Sequence, residues 1–177
     1  MHPKTMFLYG TNKEDGNPNF ALFTWITGCW DGDYSLMLCI GEPKLTRDRI
    51  IAEGKFSACM VSEAMLPLAD YLGNNSGYDA NKMSISMNIG RGKVLDVPVL
   101  TDSPLIFELE VTRRIPLTET SDIFVCKICN TADFGGEDSL EECVRKAQPI
   151  VTIGQEYFAL QPVSKGKWGQ WKDLGRI

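Results

Sequence analysis

Histidine is almost absent from this sequence of 177 residues, which contains only His2, beside the N-terminus. Termini are loosely held in most domains, so this count argues against a Ser-His-Asp triad, a Cys-His pair or a histidine-rich metal site. The sequence also lacks G-x-G-x-x-G, G-x-x-x-x-G-K-[ST] and H-E-x-x-H motifs, which counts against a Rossmann dehydrogenase, a P-loop NTPase and a zincin. We therefore expect no metal site, and we expect any chemistry to reside in a bound cofactor.

A surplus of basic residues and a long apolar run are lacking too. Lys and Arg total 18 against 23 Asp and Glu, and the net charge of −5 disfavours non-specific nucleic-acid binding. No stretch of the sequence approaches the ~20 apolar residues that a membrane span needs, and the N-terminal sequence has no signal-peptide core. We expect a cytoplasmic protein with no membrane or nucleic-acid partner and, from its length, a single domain over residues 1–177.

Cysteine occurs six times, but its spacing does not define a metal site. Cys126 and Cys129 form a C-x-x-C pair that no second ligand pair accompanies, and on a predicted strand their side chains point to opposite faces. Cys39 and Cys59 lie in apolar runs and are predicted to be small core residues. Cys29 stays open as a redox thiol, the alternative being a simply packed cysteine.

Strands dominate the predicted secondary structure. They are expected at 19–28, 34–41, 56–61, 105–115, 122–131, 150–153 and 157–160. Helices are expected at 46–53, with Ile50 and Ile51 buried, from near Met65 to before Gly73, and at 139–147, while 80–88 is a short helix or irregular. Strands 105–115 and 122–131 should pair in antiparallel fashion. This order lacks regular strand-helix alternation and predicts a mainly β fold, a β-barrel with inserted helices.

The segment from Leu36 to Ile51 has the features of an anion site. An apolar strand leads through a Gly-Glu-Pro loop to Lys44, and Thr46 stands at a predicted helix start, where unpaired N–H groups and a partial positive charge favour anions. Arg47 and Arg49 add positive charge near the same turn. These residues predict phosphate binding; the alternative is that Thr46 only caps the helix and the basic side chains are solvated.

Several short motifs follow one another over nearly the whole length of the chain. Residues 18–25 read PNFALFTW, Lys44-Leu45-Thr46 forms a Lys-x-Thr loop, and the tail Gly154 to Leu160 reads GQEYFAL. Between them stand Ser62-Glu63, Asp70-Tyr71-Leu72-Gly73, Ser76-Gly77, Asp79 and Lys82. Together these stretches resemble the flavin reductase-like, FMN-binding split-barrel family, specifically its flavoredoxin branch. The family's Pro-Pro before the second strand is absent, lysine replaces the commoner arginine at 44, and Tyr78 stands where arginine is frequent.

The resemblance implies a Greek-key-like split barrel that forms a homodimer and binds one FMN per subunit near the dimer interface. In such a site Lys44 and Thr46 would hold the FMN phosphate. The ribityl chain and isoalloxazine would be lined by Asn19 and by the backbone of Thr24, Trp25, Ile26 and Thr27. Ser76, Gly77 and Lys82 would approach the flavin, either within one subunit or across the dimer.

The function that the resemblance implies is that of an oxidoreductase, an NAD(P)H-dependent flavin reductase. A hydride from NADH or NADPH would reach flavin N5, and electrons would pass to a flavin, a protein or a small acceptor. Two alternatives stay open: an FMN electron carrier reduced by a protein partner, and a non-catalytic flavin- or haem-binding barrel. Trp25 is the favoured stacking residue, while Trp168 and Trp171 either cover the site entrance or the partner subunit, or pack on the surface.

Overall fold

A computed structural model of the chain describes residues 2–132, 140–165 and 170. The strands are β1 (Lys4–Thr5), β2 (Phe7–Asn12), β3 (Pro18–Phe23), β4 (Ile26–Trp30), β5 (Tyr34–Ile40), β6 (Lys55–Met60), β7 (Ile89–Arg91), β8 (Pro98–Leu100), β9 (Ile106–Pro116), β10 (Asp122–Ala132), β11 (Ile150–Ile153) and β12 (Glu156–Ala159). The helices are α1 (Leu45–Glu53), α2 (Leu66–Asn74), which follows a 3₁₀ turn at Glu63–Met65, and α3 (Leu140–Ala147). Among the described residues, no helix has both the length and the apolar character to cross a membrane.

A curled antiparallel sheet of seven strands in the order β3-β2-β6-β9-β10-β5-β4 forms the body of the fold. The predicted pair of long strands is present as β9 and β10, which run antiparallel from the Asp122–Pro116 pairing to the Ala132–Ile106 pairing. The remaining strands form a three-stranded sheet, β1-β11-β12, and the pair β7-β8. The mainly β split-barrel fold with inserted helices is therefore confirmed.

Strand β2 separates two apolar cores. Phe7 and Tyr9 point into the curl of the large sheet, where Tyr9 stacks on Phe23 at a ring-centroid distance of 4.5 Å. Leu8 points the opposite way, into a second core that includes Leu72 of α2. Because successive side chains on a strand point to opposite faces, a strand covered on both sides reads as a continuous apolar run. Burying each of these large side chains contributes about 1.5–3 kcal/mol to folding.

The prediction of one strand over 19–28 is wrong, because Thr24 and Trp25 interrupt it and separate β3 from β4. These two strands lie at opposite edges of the seven-stranded sheet, so the chain must leave one edge and join the other. At the break, the backbone N–H of Cys39 donates to the carbonyl of Trp25 at 2.9 Å. Residues with high strand propensity continue through the break, so propensity alone could not locate it.

The helices begin close to the predicted positions but differ in detail. Gly54 ends α1 in the left-handed conformation, with φ of 68°. Ile50 is buried as predicted, but Ile51 is 37% exposed, because neighbouring residues on a helix point about 100° apart. Pro67 lies in the first turn of α2. This helix does not end before Gly73 as predicted but continues through it. A Cβ at Gly73 would lie only 3.0 Å from the Cβ of Leu22. Residues 80–88 take the irregular form.

Candidate functional site

A polar cleft of about 230 Å³ opens where α1 begins, and we call it the lysine cleft. Its walls come from the end of β3, the loop before α1 and the segment that follows α2. Five of the predicted site residues meet there: Lys44, Thr46, Ser76, Gly77 and Lys82. The structure thus brings together residues that are up to 38 positions apart in the sequence.

Lys82 is the most unusual side chain of the lysine cleft. It is only 1% exposed, and its ammonium nitrogen has no hydrogen-bond partner among the described residues. Burial, followed by the charges of Lys44 and Lys13, lowers the pKa of Lys82 from 10.5 to about 8. Burying an ammonium group without a counter-charge costs free energy, so the cleft suits an anion that supplies the missing charge.

Asn19 and Thr46 form the polar floor behind this cleft. The Asn19 amide donates to the hydroxyl oxygens of Thr46 at 3.0 Å and of Thr11 at 3.3 Å. Thr46 therefore accepts from Asn19, and its own hydroxyl hydrogen remains available to a ligand. Asn19 is fully buried. It lies behind the cleft surface, and its Oδ1 has no hydrogen-bond partner in the described part of the chain.

Gly77 allows the segment after α2 to approach α1 closely. A Cβ at this position would lie 2.8 Å from the Cβ of Leu45 and 3.0 Å from Oδ1 of Asn19. Thr46 is the second residue of α1, and the N-cap residue, Lys44, makes no side-chain capping bond. The alternative in which Thr46 only caps the helix is therefore wrong. Lys44 is half-exposed and lies 3.6 Å from Glu42.

The two arginines of α1 do not add their charge to the cleft as predicted. Arg47 donates from Nε to Asp122 at 2.5 Å, and Arg49 bonds to Glu53 at 2.7 Å. Asp122 also accepts from Arg114 at 2.7 Å. Burial alone would raise the pKa of Asp122, but the hydrogen bonds from Arg114 and Arg47 outweigh it and lower the pKa. These contacts fix the start of α1 against the β9–β10 hairpin.

Sequence reasoning missed two hydrogen bonds, one made by the 73–82 segment and one made by α2. The Tyr78 hydroxyl donates to Asp48 of α1, and this hydrogen bond, with burial, raises the pKa of Tyr78. Asp70 accepts from the Tyr157 hydroxyl, which raises the pKa of Tyr157 to about 12. Asp70 is thus bonded to Tyr157, whereas Lys82 is buried in the lysine cleft.

A second, apolar cleft of about 450 Å³ adjoins the break between β3 and β4, and we call it the tryptophan cleft. The predicted residues Thr24, Trp25, Ile26 and Thr27 line it. The Trp25 side chain is 53% exposed, so its indole is available for stacking. The other lining residues are His2, Pro3, Lys4, Thr5, Met37, Leu38, Cys39 and Ile123.

Two expectations about the tryptophan cleft are corrected. His2, set aside as a loosely held terminal residue, lies in the wall of this cleft, and its sequence position carries no signal of that. Cys39 is half-buried and also lines the cleft, so it is not a core residue, whereas Cys59 is fully buried as predicted. Burial, followed by the charge of Asp122, raises the pKa of the Cys39 thiol, which makes it a weak nucleophile at neutral pH.

The two clefts follow one another along two chain segments. Residues 21–23 line the lysine cleft and 24–27 the tryptophan cleft, while 37–39 line the tryptophan cleft and 43–46 the lysine cleft. Asp122 holds Arg47 beside Thr46, and the next residue, Ile123, lines the tryptophan cleft. An elongated ligand with an anionic end and a flat ring matches this sequence of polar and apolar walls.

Several singled-out residues lie elsewhere. Cys29 belongs to β4 and lines neither the lysine cleft nor the tryptophan cleft. Cys126 is buried, which raises the pKa of its thiol to about 12, whereas Cys129 is half-exposed. Among the described residues, no three His, Cys, Asp or Glu side chains gather as metal ligands. Trp168 and Trp171 lie outside the described residues.

The sequence matches the flavin reductase like domain over residues 1–159, so the chain belongs to that family. No curated protein matches it. Its fold is similar to that of a flavoredoxin from Methanosarcina acetivorans, with 20% identity and a TM-score of 0.82 over 97% of this chain and 92% of that one. A flavoredoxin of Desulfovibrio vulgaris (Miyazaki F) gives 23% identity and 0.82 over 96% and 93%. An FMN-binding protein from Thermus thermophilus gives 19% identity and 0.77 over 94% and 91%. Family and fold support a flavoprotein oxidoreductase.

Proposed function

We propose that this protein binds FMN and acts as an NAD(P)H-dependent flavin reductase. The observation that carries the proposal is the buried Lys82 ammonium, which lacks a partner among the described residues and lines the same cleft as Thr46 and Gly77. The adjoining tryptophan cleft is apolar and offers a half-exposed indole. A phosphate-bearing ligand with a flat ring satisfies both environments, and flavin mononucleotide is such a ligand.

The residues present fit the phosphate end of FMN. Lys44 and Lys82 supply positive charge, and the Thr46 hydroxyl supplies a donor at the start of α1, whose N–H groups favour anions. Ser76 and Gly77 bring the 73–82 segment against this end of the ligand. Charge-assisted hydrogen bonds of this kind are about twice as strong as neutral ones, so the phosphate would dominate the binding free energy.

The ring end would lie in the tryptophan cleft, along the backbone of residues 24–27. The bound flavin would supply the redox chemistry, with NADH or NADPH as electron donor and a flavin, a protein or a small molecule as acceptor. The chain's own part is to orient the ring, to exclude water with the apolar walls, and to offer backbone N–H groups to negative charge on the ring. None of these tasks needs a histidine.

The test is a flavin titration followed by reduction. We expect the purified protein to bind FMN, with quenched flavin fluorescence, and to be bleached by NADH or NADPH in the absence of air. A protein that does not retain FMN would overturn the proposal. Bleaching by dithionite but not by either nicotinamide would reject the reductase activity and identify an electron carrier that takes its electrons from a protein partner.

We also propose that the chain forms a homodimer. The support is an apolar outer face on the large sheet, where Cys39, Ile123 and Ile115 lie side by side across β5, β10 and β9. Phe124, the neighbour of Ile123, points into the core, whereas Met37 and Ile115 are exposed. Light scattering on the purified protein should give twice the chain mass of 19.7 kDa, and a mass equal to that of one chain would contradict the proposal.

A further inference from the structure

A buried hydrogen-bond network lies directly behind Thr46, and it includes Thr11 of β2, a residue outside every motif that indicates the site in the sequence. Thr11 and Asn19 stand opposite each other where β2 pairs with β3. Thr11 and Thr46 are each 1% exposed, and Asn19 is fully buried. We propose that Thr11, acting through Asn19, orients the Thr46 hydroxyl for donation to the FMN phosphate. The inference rests on the proposed FMN function, which it deepens by adding a positioning residue.

The Asn19 amide accounts for the direction of the Thr46 hydroxyl. An amide nitrogen carries two hydrogens, and those of Asn19 go to Thr46 at 3.0 Å and to Thr11 at 3.3 Å. Each hydroxyl accepts on its oxygen, so the hydrogen of Thr46 is directed away from Asn19. Thr46 lines the lysine cleft, whereas Thr11 and Asn19 are not among its lining residues. The hydrogen of Thr46 is therefore available to a ligand in the cleft, and Thr11 acts without touching that ligand.

Thr11 also favours one of the two orientations of the Asn19 amide. As the amide stands, only its acceptor, Oδ1, lacks a partner among the described residues, and it faces Gly77, at which a Cβ would lie 3.0 Å from it. A rotated amide would turn both of its donors toward this side and would offer Thr46 an acceptor for its own hydrogen. Two unpaired buried donors cost more than one unpaired acceptor. Because Thr11 accepts from one of those donors, removing its hydroxyl weakens the preference that keeps Thr46 a donor to the cleft.

This orientation makes the phosphate end of the lysine cleft a set of donors. Thr46 presents its hydroxyl hydrogen there, and the two lysines that line the same cleft, Lys44 and Lys82, carry only donors. A phosphate oxygen without a proton only accepts, whereas the terminal hydroxyl of riboflavin carries a hydrogen of its own. Thr11 should therefore favour FMN over riboflavin, although it contacts neither.

The test is a double-mutant cycle of Thr11→Val and Thr46→Val, measured as the Kd for FMN and the Kd for riboflavin. Thr11→Val keeps the branched shape and removes the hydroxyl. It should raise the Kd for FMN about three- to tenfold, the range that one net hydrogen bond covers, and leave riboflavin within about twofold. In the Thr46→Val background, Thr11→Val should change the Kd for FMN by less than about twofold, because the group that it positions is gone. Thr11→Ser, which restores the hydroxyl, should keep the wild-type affinity.

The matched control is Thr112→Val on β9, which loses one hydrogen bond to the carbonyl of Val125 at 3.1 Å, lines neither cleft and should leave both affinities unchanged. A Thr11→Val variant that binds FMN like wild type, or that weakens FMN and riboflavin equally, would overturn the positioning role while the FMN function stands. Losses that simply multiply in the double variant would overturn it too, because Thr11 would then act independently of Thr46. If wild type itself does not bind FMN, the function is contradicted, and this inference with it.

Discussion

The lysine cleft and the tryptophan cleft adjoin each other, but they differ in the electrostatic cost of forming them without a ligand. The first encloses polar groups of Lys82 and Asn19 that lack partners among the described residues, so folding the chain without a ligand carries an electrostatic cost there. The second is formed by strand residues and the N-terminal segment, and its apolar walls carry no such cost. A bound anion should therefore stabilise the first cleft most, whereas the second should determine how a ring is held.

Asp122→Asn should disturb both clefts at once. Asp122 holds Arg47 beside Thr46 of the lysine cleft, and the next residue, Ile123, lines the tryptophan cleft. The substitution should lower the free energy of unfolding by about 3–5 kcal/mol, since Arg47 would lose its buried carboxylate partner. Affinity for FMN and for riboflavin should fall together as α1 and β10 lose their registration. Chemical denaturation and flavin titration of the same sample measure both effects.

The control for Asp122→Asn is Asp96→Asn, which removes an exposed ion pair with Arg91 and should cost less than about 1 kcal/mol. The pH dependence has a definite sign. Because the pKa of Asp122 is lowered in the folded state, its contribution is present above the ordinary aspartate value of 3.8 and is lost as the pH falls through the lowered pKa. The stability difference between wild type and Asp122→Asn should therefore shrink in acid, and a difference that stays constant as the pH falls would contradict this account.

Lys82→Met should lower the affinity for FMN and, at the same time, raise the stability of the flavin-free protein. At neutral pH the affinity for FMN should fall roughly 10- to 100-fold, since a hydrogen bond to a charged group contributes about 1.5–3 kcal/mol. In the absence of flavin, the variant should be more stable than wild type, because a buried charge without a counter-ion has been removed. Flavin titration measures the affinity, and thermal unfolding measures the stability. If the flavin-free variant were less stable than wild type, the electrostatic cost assigned to the lysine cleft would be contradicted.

The lowered pKa of Lys82 also predicts a pH range over which the stability of the protein and its affinity for FMN change. The pKa of Lys82 is about 8 in the folded chain and 10.5 in the unfolded one, so between these values the unfolded state holds more protons. The free energy of unfolding contributed by Lys82 therefore rises with pH across this window. The stability advantage of Lys82→Met should shrink from pH 8 to pH 10.5, and FMN affinity of wild type should decline as Lys82 loses its proton.

The features that the sequence predicts well are local ones. The Lys-x-Thr spacing, the helix start and the glycine stop of α1 depend on neighbours along the chain, and the structure has them within one or two residues. The contacts between Asn19 and Thr46 and between Arg47 and Asp122 join residues 27 and 75 positions apart, so they depend on strand order and register. Composition does not encode that register, and the position of His2 in the wall of the tryptophan cleft could not be read from the sequence for the same reason.

Trp25→Leu and Lys44→Ala should separate the two clefts directly. Loss of the indole should weaken FMN and riboflavin equally, by about three- to tenfold, because aromatic pairs contribute roughly 0.5–1.5 kcal/mol beyond area burial. Lys44→Ala should weaken FMN to a similar extent and leave riboflavin unchanged. Parallel fluorescence titrations measure all four values. A phosphate-dependent loss in Trp25→Leu, or unchanged FMN affinity in Lys44→Ala, would show that the ligand does not lie across the clefts in this orientation.

Cys29→Ser should have the smallest effect. Cys29 is half-buried on β4 opposite Ser35, one position before the exposed Trp30, and it lines neither of the clefts formed by the described residues. A thiol outside the site should be replaceable, with a change in stability within about 0.5 kcal/mol and unchanged turnover with every acceptor. Cys39→Ser is the informative comparison, because Cys39 lines the tryptophan cleft and changes the polarity beside the ring. If Cys29→Ser alone lost activity toward disulfide acceptors while keeping activity toward flavin, the redox role of this thiol would be established and the packed-cysteine interpretation would be wrong.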